Sequence, residues 1–344
     1  MALKLSILTK SERGAVLKYF TKRLVALVLI IIAISIGSFY MIHLLPGDLA
    51  TMILGTGNTP ENKKRLYAQL GLDKGLVQQY LTWMSHVLQG DLGKSYITGV
   101  SINTSIGKAL PIDIEVIVIS QILAFACAIP LAMKAAKKPN GLFDRMSNGV
   151  TFGLLSVPSF IIVVYLVLLI ALKLHVPGTG PASFTRFPEW GWILSDTLMF
   201  FTTLKDNLMS LLIPSLTLSI GSFVVYFRVL RSDLIATLQE EYITMARSKG
   251  LSRRRIMWRH AFRPSSIALL GTAGINIGGL IAGGFVVQYL LSIPGLGSLL
   301  TSSILLQDYL VIQSTVFVVA VAVIVINFAV DFITTLVDPR IARD

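Results

Sequence analysis

Gly90 to Ser95 reads GDLGKS, and its last three residues are the ending of a phosphate-binding loop. Such a loop needs a further glycine five residues before the second one, so that successive backbone N–H groups can wrap phosphate oxygens. Position 88 is Leu88, no strand pattern precedes it, and nucleotide binding is not expected here. Without another nucleotide motif, ATP hydrolysis by this chain is not expected either. Neither HExxH nor GxSxG occurs, and His43, His86, His175 and His260 lie far apart in sequence. The one cysteine, Cys127, excludes a disulfide or a cysteine-based metal set within the chain. Asp113 and Glu115 open one apolar run, and Asn327 and Asp331 lie in another. Ionisable groups inside a membrane are costly and count as functional candidates by default. The plainer expectation places Asp113 and Glu115 at headgroup depth. Asp331, six residues from the inner end of its run, fits either role.

The densest charge lies elsewhere. Residues 246–260 read ARSKGLSRRRIMWRH, with six Lys or Arg: Arg247, Lys249, Arg253, Arg254, Arg255 and Arg259. In a soluble protein this would suggest a nucleic-acid surface. The chain around it is 54% hydrophobic and only 14% charged, with mean hydropathy +0.73. Those values point to a membrane protein.

Six apolar runs are long enough to cross a hydrocarbon core of roughly 30 Å as helices. They are Leu24 to Leu45, Ile112 to Met133, Val150 to Leu172, Asn207 to Phe227, Ile267 to Leu291 and Leu310 to Val337. The first is too long for the core of a signal peptide, and no small-residue cleavage site follows, so an uncleaved anchor is expected. With the N-terminus inside, the inner segments hold 21 Lys and Arg and the outer segments 9. The positive-inside rule therefore puts both termini and residues 228–266 in the cytoplasm. The formal charge of +12 is then mostly a topology signal, and no nucleic-acid partner is expected.

About forty cytoplasmic residues between spans four and five are too few for a core of their own. Ile235, Leu238, Tyr242 and Met245 share one helical face, while Asp233, Glu240, Thr244, Arg247 and Ser248 share the opposite one. Span four is therefore expected to continue into the cytoplasm as an amphipathic helix. Gly250 ends it, and Ser252 caps a second helix running to about Phe262. Arg253, Arg254 and Arg255 fall in that helix's first turn, where the macrodipole disfavours cations. Met257/Ala261 and Trp258/Phe262 are apolar pairs at the same spacing as the cationic pair Arg255/Arg259. Such a rod suits an interfacial helix whose arginines meet headgroups, and equally a docking site for a cytoplasmic partner.

On the outer side, Thr59-Pro60-Glu61 has the form of a helix start, and LVQQYLTWMSHVL after Gly75 is amphipathic. The fifth span carries Gly271, Gly274, Gly278, Gly279, Gly283 and Gly284. Gly274/Gly278 and Gly279/Gly283 are small-xxx-small pairs, which fit tight packing in one bundle or a helix lining a pathway. Pro130, Pro158 and Pro214 interrupt their runs, so kinks are expected there.

The segment EYITMARSKGLSRRRIMWRHAFRPS resembles the signature loop of the membrane subunits of ABC importers, in their peptide-handling branch. Thr244, Met245, Ala246 and Gly250 align with the signature, of which Ala246 and Gly250 match the strict consensus. HLLPGD, LGLDKGLVQQY, GDLGKS, SVPSF, IPGLG and DPRI agree in order across residues 20 to 341. Gln288 stands where an acid is common and Pro264 where Asn is common. The resemblance implies an all-α membrane protein with the type I ABC importer transmembrane fold. Residues 1–110 would form the entry segment, first span and outer loop, and 111–338 the permease core. It implies a dipeptide/oligopeptide permease of the B type in a bacterial cytoplasmic membrane. Implied partners are a second homologous permease, two ABC ATPases and an extracytoplasmic peptide-binding protein. ATP and magnesium would be used by the ATPases, and this chain would bind no cofactor. The coupling helix maps to about Leu251 to Phe262, so Arg254, Arg255, Met257, Trp258, Arg259 and His260 would meet an ATPase groove. Close relatives carry nickel or another metal chelate, which stands as the alternative substrate. An ion-driven secondary transporter would need midplane charges and inverted repeats, and neither is seen. A membrane-embedded hydrolase lacks any nucleophile–base signature.

Overall fold

The computed structural model describes residues 10–43, 59–70, 73–176, 184–187 and 197–337. The DPRI motif and part of HLLPGD lie outside them. The elements are α1 (Lys10–His43), α2 (Pro60–Leu70), α3 (Leu76–Leu88), α4 (Ile102–Ala136), α5 (Leu142–Leu155) and α6 (Ser159–Leu166), which widens into a π-helical stretch, Val167–Lys173. Then come α7 (Thr197–Ser210), α8 (Leu212–Thr237), α9 (Glu241–Ser248), the single turn α10 (Arg253–Arg255) with a π-helical stretch Ile256–Ala261, α11 (Phe262–Leu291), α12 (Leu296–Leu305) and α13 (Tyr309–Val337). Five helices are long and apolar enough to cross a membrane, or up to seven if each bent pair is one span.

Of the three kinks expected at prolines, the one at Pro158 is a full break. The third expected span breaks at Ser156–Pro158, where α5 and α6 meet at 100°. Proline disfavours helical geometry at the preceding residue, so the break falls at Val157. The chain breaks again at residues 292–295, between α11 and α12. Pro130 and Pro214 do not interrupt their helices. α4 runs through Pro130, and Pro214 sits in the first turn of α8, where its missing N–H is no loss. The outer elements form where the residues placed them: α2 starts at Pro60 with the Asn62 N–H on Thr59 Oγ1 at 3.3 Å, and α3 covers LVQQYLTWMSHVL.

The chain divides into two compact units. Among the described residues, one comprises 10–16, those within 112–293, and 325–337. Its core follows from a ridge of small residues on α4: Ser120, Ala124, Ala128, Ala132 and Ala136 recur every fourth position and are all buried. Against this flat ridge lie the large side chains Tyr226, Phe227, Leu230 and Leu234 of α8, with Met257, Ala261, Leu269 and Ala273. In lipid, where burial from water does not drive helices together, such close fit does. The opposite face of α4 leaves Ile114, Val118 and Ile122 exposed, as a lipid-facing stripe would be.

The other unit comprises residues 17–111 and 294–324. Phe39, Tyr80, Trp83 and Phe317 form a chain of aromatic contacts with centroids 5.5 to 6.0 Å apart. GDLGKS belongs to this unit as a clasp rather than a phosphate loop. Ser95 Oγ donates to the Asp308 carboxylate just before α13, and the Ser314 hydroxyl reaches the Leu92 carbonyl at 3.4 Å. Gly93, at φ +88°, presses against Leu310, so its backbone faces a side chain and not an anion.

Candidate functional site

The segment between α8 and α11 is built in three steps. First, α8 stops at Thr237 and a turn at 238–240 separates it from α9, so the expected continuous amphipathic helix is broken. The face that α9 buries is Ile243 and Ala246, which pack with Ile256, Leu238 and Leu251. Tyr242 and Met245, expected inside, are 44% and 60% exposed. Starting a new helix after the turn rotates the face, which a continuous helical wheel misplaces.

Second, Gly250 ends α9 at φ +75°. Its N–H bonds to the Arg247 carbonyl at 2.9 Å, and the Leu251 N–H reaches the Ala246 carbonyl at 3.3 Å. With Leu251 packed beside Ala246, this is a complete Schellman motif. A Cβ at position 250 meets nothing within 4 Å, so a substitution there costs backbone strain only. Gly250→Val is expected to weaken the turn by about 1–2 kcal/mol and to lower transport at unchanged membrane abundance. Wild-type uptake by that variant would remove the turn from the account.

Third, Ser252 caps the next helix, its Oγ accepting from the Arg255 N–H at 3.4 Å. That helix does not end near Phe262. It passes through a π-helical stretch directly into α11, so the basic rod and the long apolar helix are one piece. Pro264 accounts for the irregularity: it has no N–H for the His260 carbonyl four residues back, and its ring crowds that carbonyl. The Tyr242 hydroxyl donates to the same carbonyl at 3.2 Å and so ties α9 to the rod. Burial, with the Glu240 carboxylate beside it, pushes the Tyr242 hydroxyl up from its ordinary value, so it keeps the proton it donates.

The result is a compact hairpin with a mixed outer surface. Met257 and Ala261 are buried, while Trp258 is 51% exposed and stands edge-on to Phe262 at 5.5 Å. Arg253, Arg254, Arg255 and Arg259 are exposed, His260 is half-buried, and Thr244 is exposed. Among the described residues, no carboxylate pairs with these four arginines. Exposed Tyr242, Met245 and Trp258 beside them have the make-up of a protein-binding patch, where aromatic residues, Met and Arg are enriched.

Sequence reasoning missed what fastens this hairpin's base. Asp144, the one acid in the otherwise basic segment 134–149, is 2% exposed and accepts from Nε and Nη2 of Arg231 on α8. The Asn140 N–H and the Asn148 amide donate to the same carboxylate at 2.8 and 3.1 Å. The signal available was that single acid opposite a basic loop.

Deeper in the same unit, Gln121, Ser222, Tyr226 and Asn276 form a closed polar network. The Tyr226 hydroxyl donates to Gln121 at 2.5 Å, and Asn276 donates to Ser222 at 2.8 Å and to the Tyr226 oxygen at 3.1 Å. Asp113 is buried within the unit, and Gln288 donates to it at 2.8 Å. An amide at 288 suits this position, because a second carboxylate there would face Asp113 with like charge. Glu115 accepts from Asn207 at 3.1 Å.

The glycines of α11 separate into two groups. A Cβ on Gly274 would lie 2.4 Å from Val330, so this glycine is needed for packing within the unit. Gly279 and Gly283 are exposed and meet nothing within 4 Å. Gly278 is half-buried. The side chain of Asp331 lies outside the described residues.

Comparison with known proteins now places this architecture. Residues 128–343 match the binding-protein-dependent transport system inner membrane component family, and residues 16–119 match the N-terminal family of the same membrane components. The chain belongs to that family. It is a transport component rather than an enzyme, a multi-pass membrane subunit that works with other ABC subunits.

Its relatives narrow the class. The dipeptide transport system permease protein DppB of Escherichia coli strain K12 is 31% identical over 334 residues, covering 94% of this chain and 98% of that protein. The DppB protein of Lactococcus lactis subsp. cremoris strain MG1363 is 32% identical over 326 residues, covering 94% and 99%. Among solved structures, an inward-facing MetNI methionine ABC transporter chain aligns with TM-score 0.53 at 14% identity. The alignment covers 68% of this chain and 96% of that one. At that identity the likeness speaks for the fold alone, the type I importer fold.

Proposed function

We propose that this chain is the B-type permease of an ATP-driven importer for dipeptides and oligopeptides, in the bacterial cytoplasmic membrane with both termini inside. The observation that carries the substrate class is the 31% identity, over nearly the full length of both proteins, to a dipeptide permease. Its partners on this reading are a second, homologous permease, two ABC ATPases and an extracytoplasmic peptide-binding protein. ATP and magnesium are bound by the ATPases and no cofactor by this chain. The hairpin 241–261 seats in an ATPase: Met245 and Trp258 fill apolar recesses, and Arg254, Arg255 and Arg259 meet acidic groups at the rim. Thr244, Ala246, Gly250, Met257 and His260 hold the shape. Because the rod is continuous with α11, movement of the ATPase is passed to a membrane helix without an intervening hinge. Rocking of the two permeases would then open the path to alternate sides.

The exposed Gly279 and Gly283 suit close approach of a helix from the second permease. Gly279→Leu is expected to reduce co-purification of that permease while this chain still folds. Gly274→Leu, which collides with Val330, is expected to lower the amount of folded protein instead. Equal effects of the two on folding would dissolve the distinction.

Substrate class is tested by uptake of a labelled dipeptide into vesicles holding the complete transporter. Excess di- and oligopeptide should suppress it, and a nickel chelate should not. Suppression by the chelate alone would replace peptides with metal complexes.

A further inference from the structure

A cleft of about 560 Å³ opens between α5 and the inner half of α8, apart from the docking hairpin. Its walls are Phe152, Leu155 and Val225, and its polar end is formed by Asn148, Arg228 and Ser232. Phe152 and Leu155 are each 54% exposed, so apolar surface is left open along its length. Arg228 is exposed, and its guanidinium lies 4.7 Å from the centre of the Phe152 ring, which holds the cation at the mouth. The charges at the polar end do not cancel. Arg231 is taken up by Asp144, whose remaining capacity goes to Asn140 and Asn148. Among the described residues no carboxylate pairs with Arg228, so the cleft carries one uncompensated positive charge.

We infer that this cleft holds an anionic phospholipid of the inner leaflet. Arg228 and the Ser232 hydroxyl would receive the phosphate, and one acyl chain would lie along Phe152 and Leu155. The match is of chemistry: apolar side chains, a hydroxyl and an uncompensated cation line the same cleft. On the orientation proposed above, Arg228 is the first residue past the inner end of its span, which is headgroup depth. A basic side chain at that depth favours anionic over neutral lipid by about fivefold. Nothing in this assignment depends on the transported substrate.

The purified full chain in nanodiscs of mixed phosphatidylethanolamine and phosphatidylglycerol tests it by native mass spectrometry. The parent should retain phosphatidylglycerol in preference, and Arg228→Gln should lose that preference about fivefold while retaining phosphatidylethanolamine. Ser232→Glu, which brings a negative charge to the same end, should lose it as well, and so covers the case in which the first variant folds poorly. Equal retention of the two lipids by the parent, or a preference untouched by both variants, overturns the assignment. So does a cysteine at position 152 that cross-links to the second permease in the assembled transporter, since the cleft would then be a protein interface.

Discussion

Trp258→Ala should leave the chain folded and strip it of its ATPase. Trp258 is 51% exposed and stands edge-on to Phe262, so its truncation is expected to open no large cavity in this chain. In an interface, an exposed tryptophan within a run of arginines is the kind of residue that carries most of the binding energy. Its loss is expected to cost about 2 kcal/mol, roughly thirtyfold in affinity. Uptake should fall with the loss of ATPase co-purification, while thermal stability of the isolated chain stays near the parent's. Reversing Arg255 and Arg259 to Glu should act in the same direction and more strongly at low salt, because rim charges are screened. Loss of uptake with the ATPase still bound would move the role of Trp258 from docking to signal transfer.

Arg231→Met should damage the fold itself. It leaves the Asp144 carboxylate, 2% exposed, with only neutral donors, and an unpaired buried charge of this kind costs about 3 kcal/mol. Asp144→Asn should cost less, because the Arg231 side chain is 21% exposed and can turn to water. The order of the two, read as thermal unfolding in detergent, is the test: a milder Arg231 variant would mean that the carboxylate is not the group that needs its partner. Both changes act at the base of the hairpin, where α5 and α8 are joined, so some loss of transport should follow each.

What could be read from the residues and what could not divides along a physical line. The apolar helices and the Gly250 turn follow from local rules: apolar length, and a residue that takes positive φ. The ordered motifs also led to the family. The buried face of α9 could not be read this way, because a turn at 238–240 shifts helical phase and a wheel assumes none. The continuity of the rod with α11 was hidden by Pro264, which reads as a helix end. The π-helical stretch Ile256–Ala261 carries the chain past it, and the Tyr242 hydroxyl takes up the His260 carbonyl. Asp113 illustrates the same limit: its burial depends on Gln288, 175 positions away. Of the six glycines in α11, sequence spacing grouped them alike, whereas Val330 marks Gly274 as a packing position and leaves Gly279 open.

The claim on which the account turns is that the hairpin 241–261 seats in an ATPase. A photo-reactive amino acid at Met245, which is 60% exposed on the same hairpin as Trp258, reports on it directly in the assembled transporter in membranes. The account predicts one dominant adduct with an ABC ATPase subunit, diminished when Trp258 is changed to Ala. Adducts with lipid alone, in a transporter that still imports peptide, would contradict it.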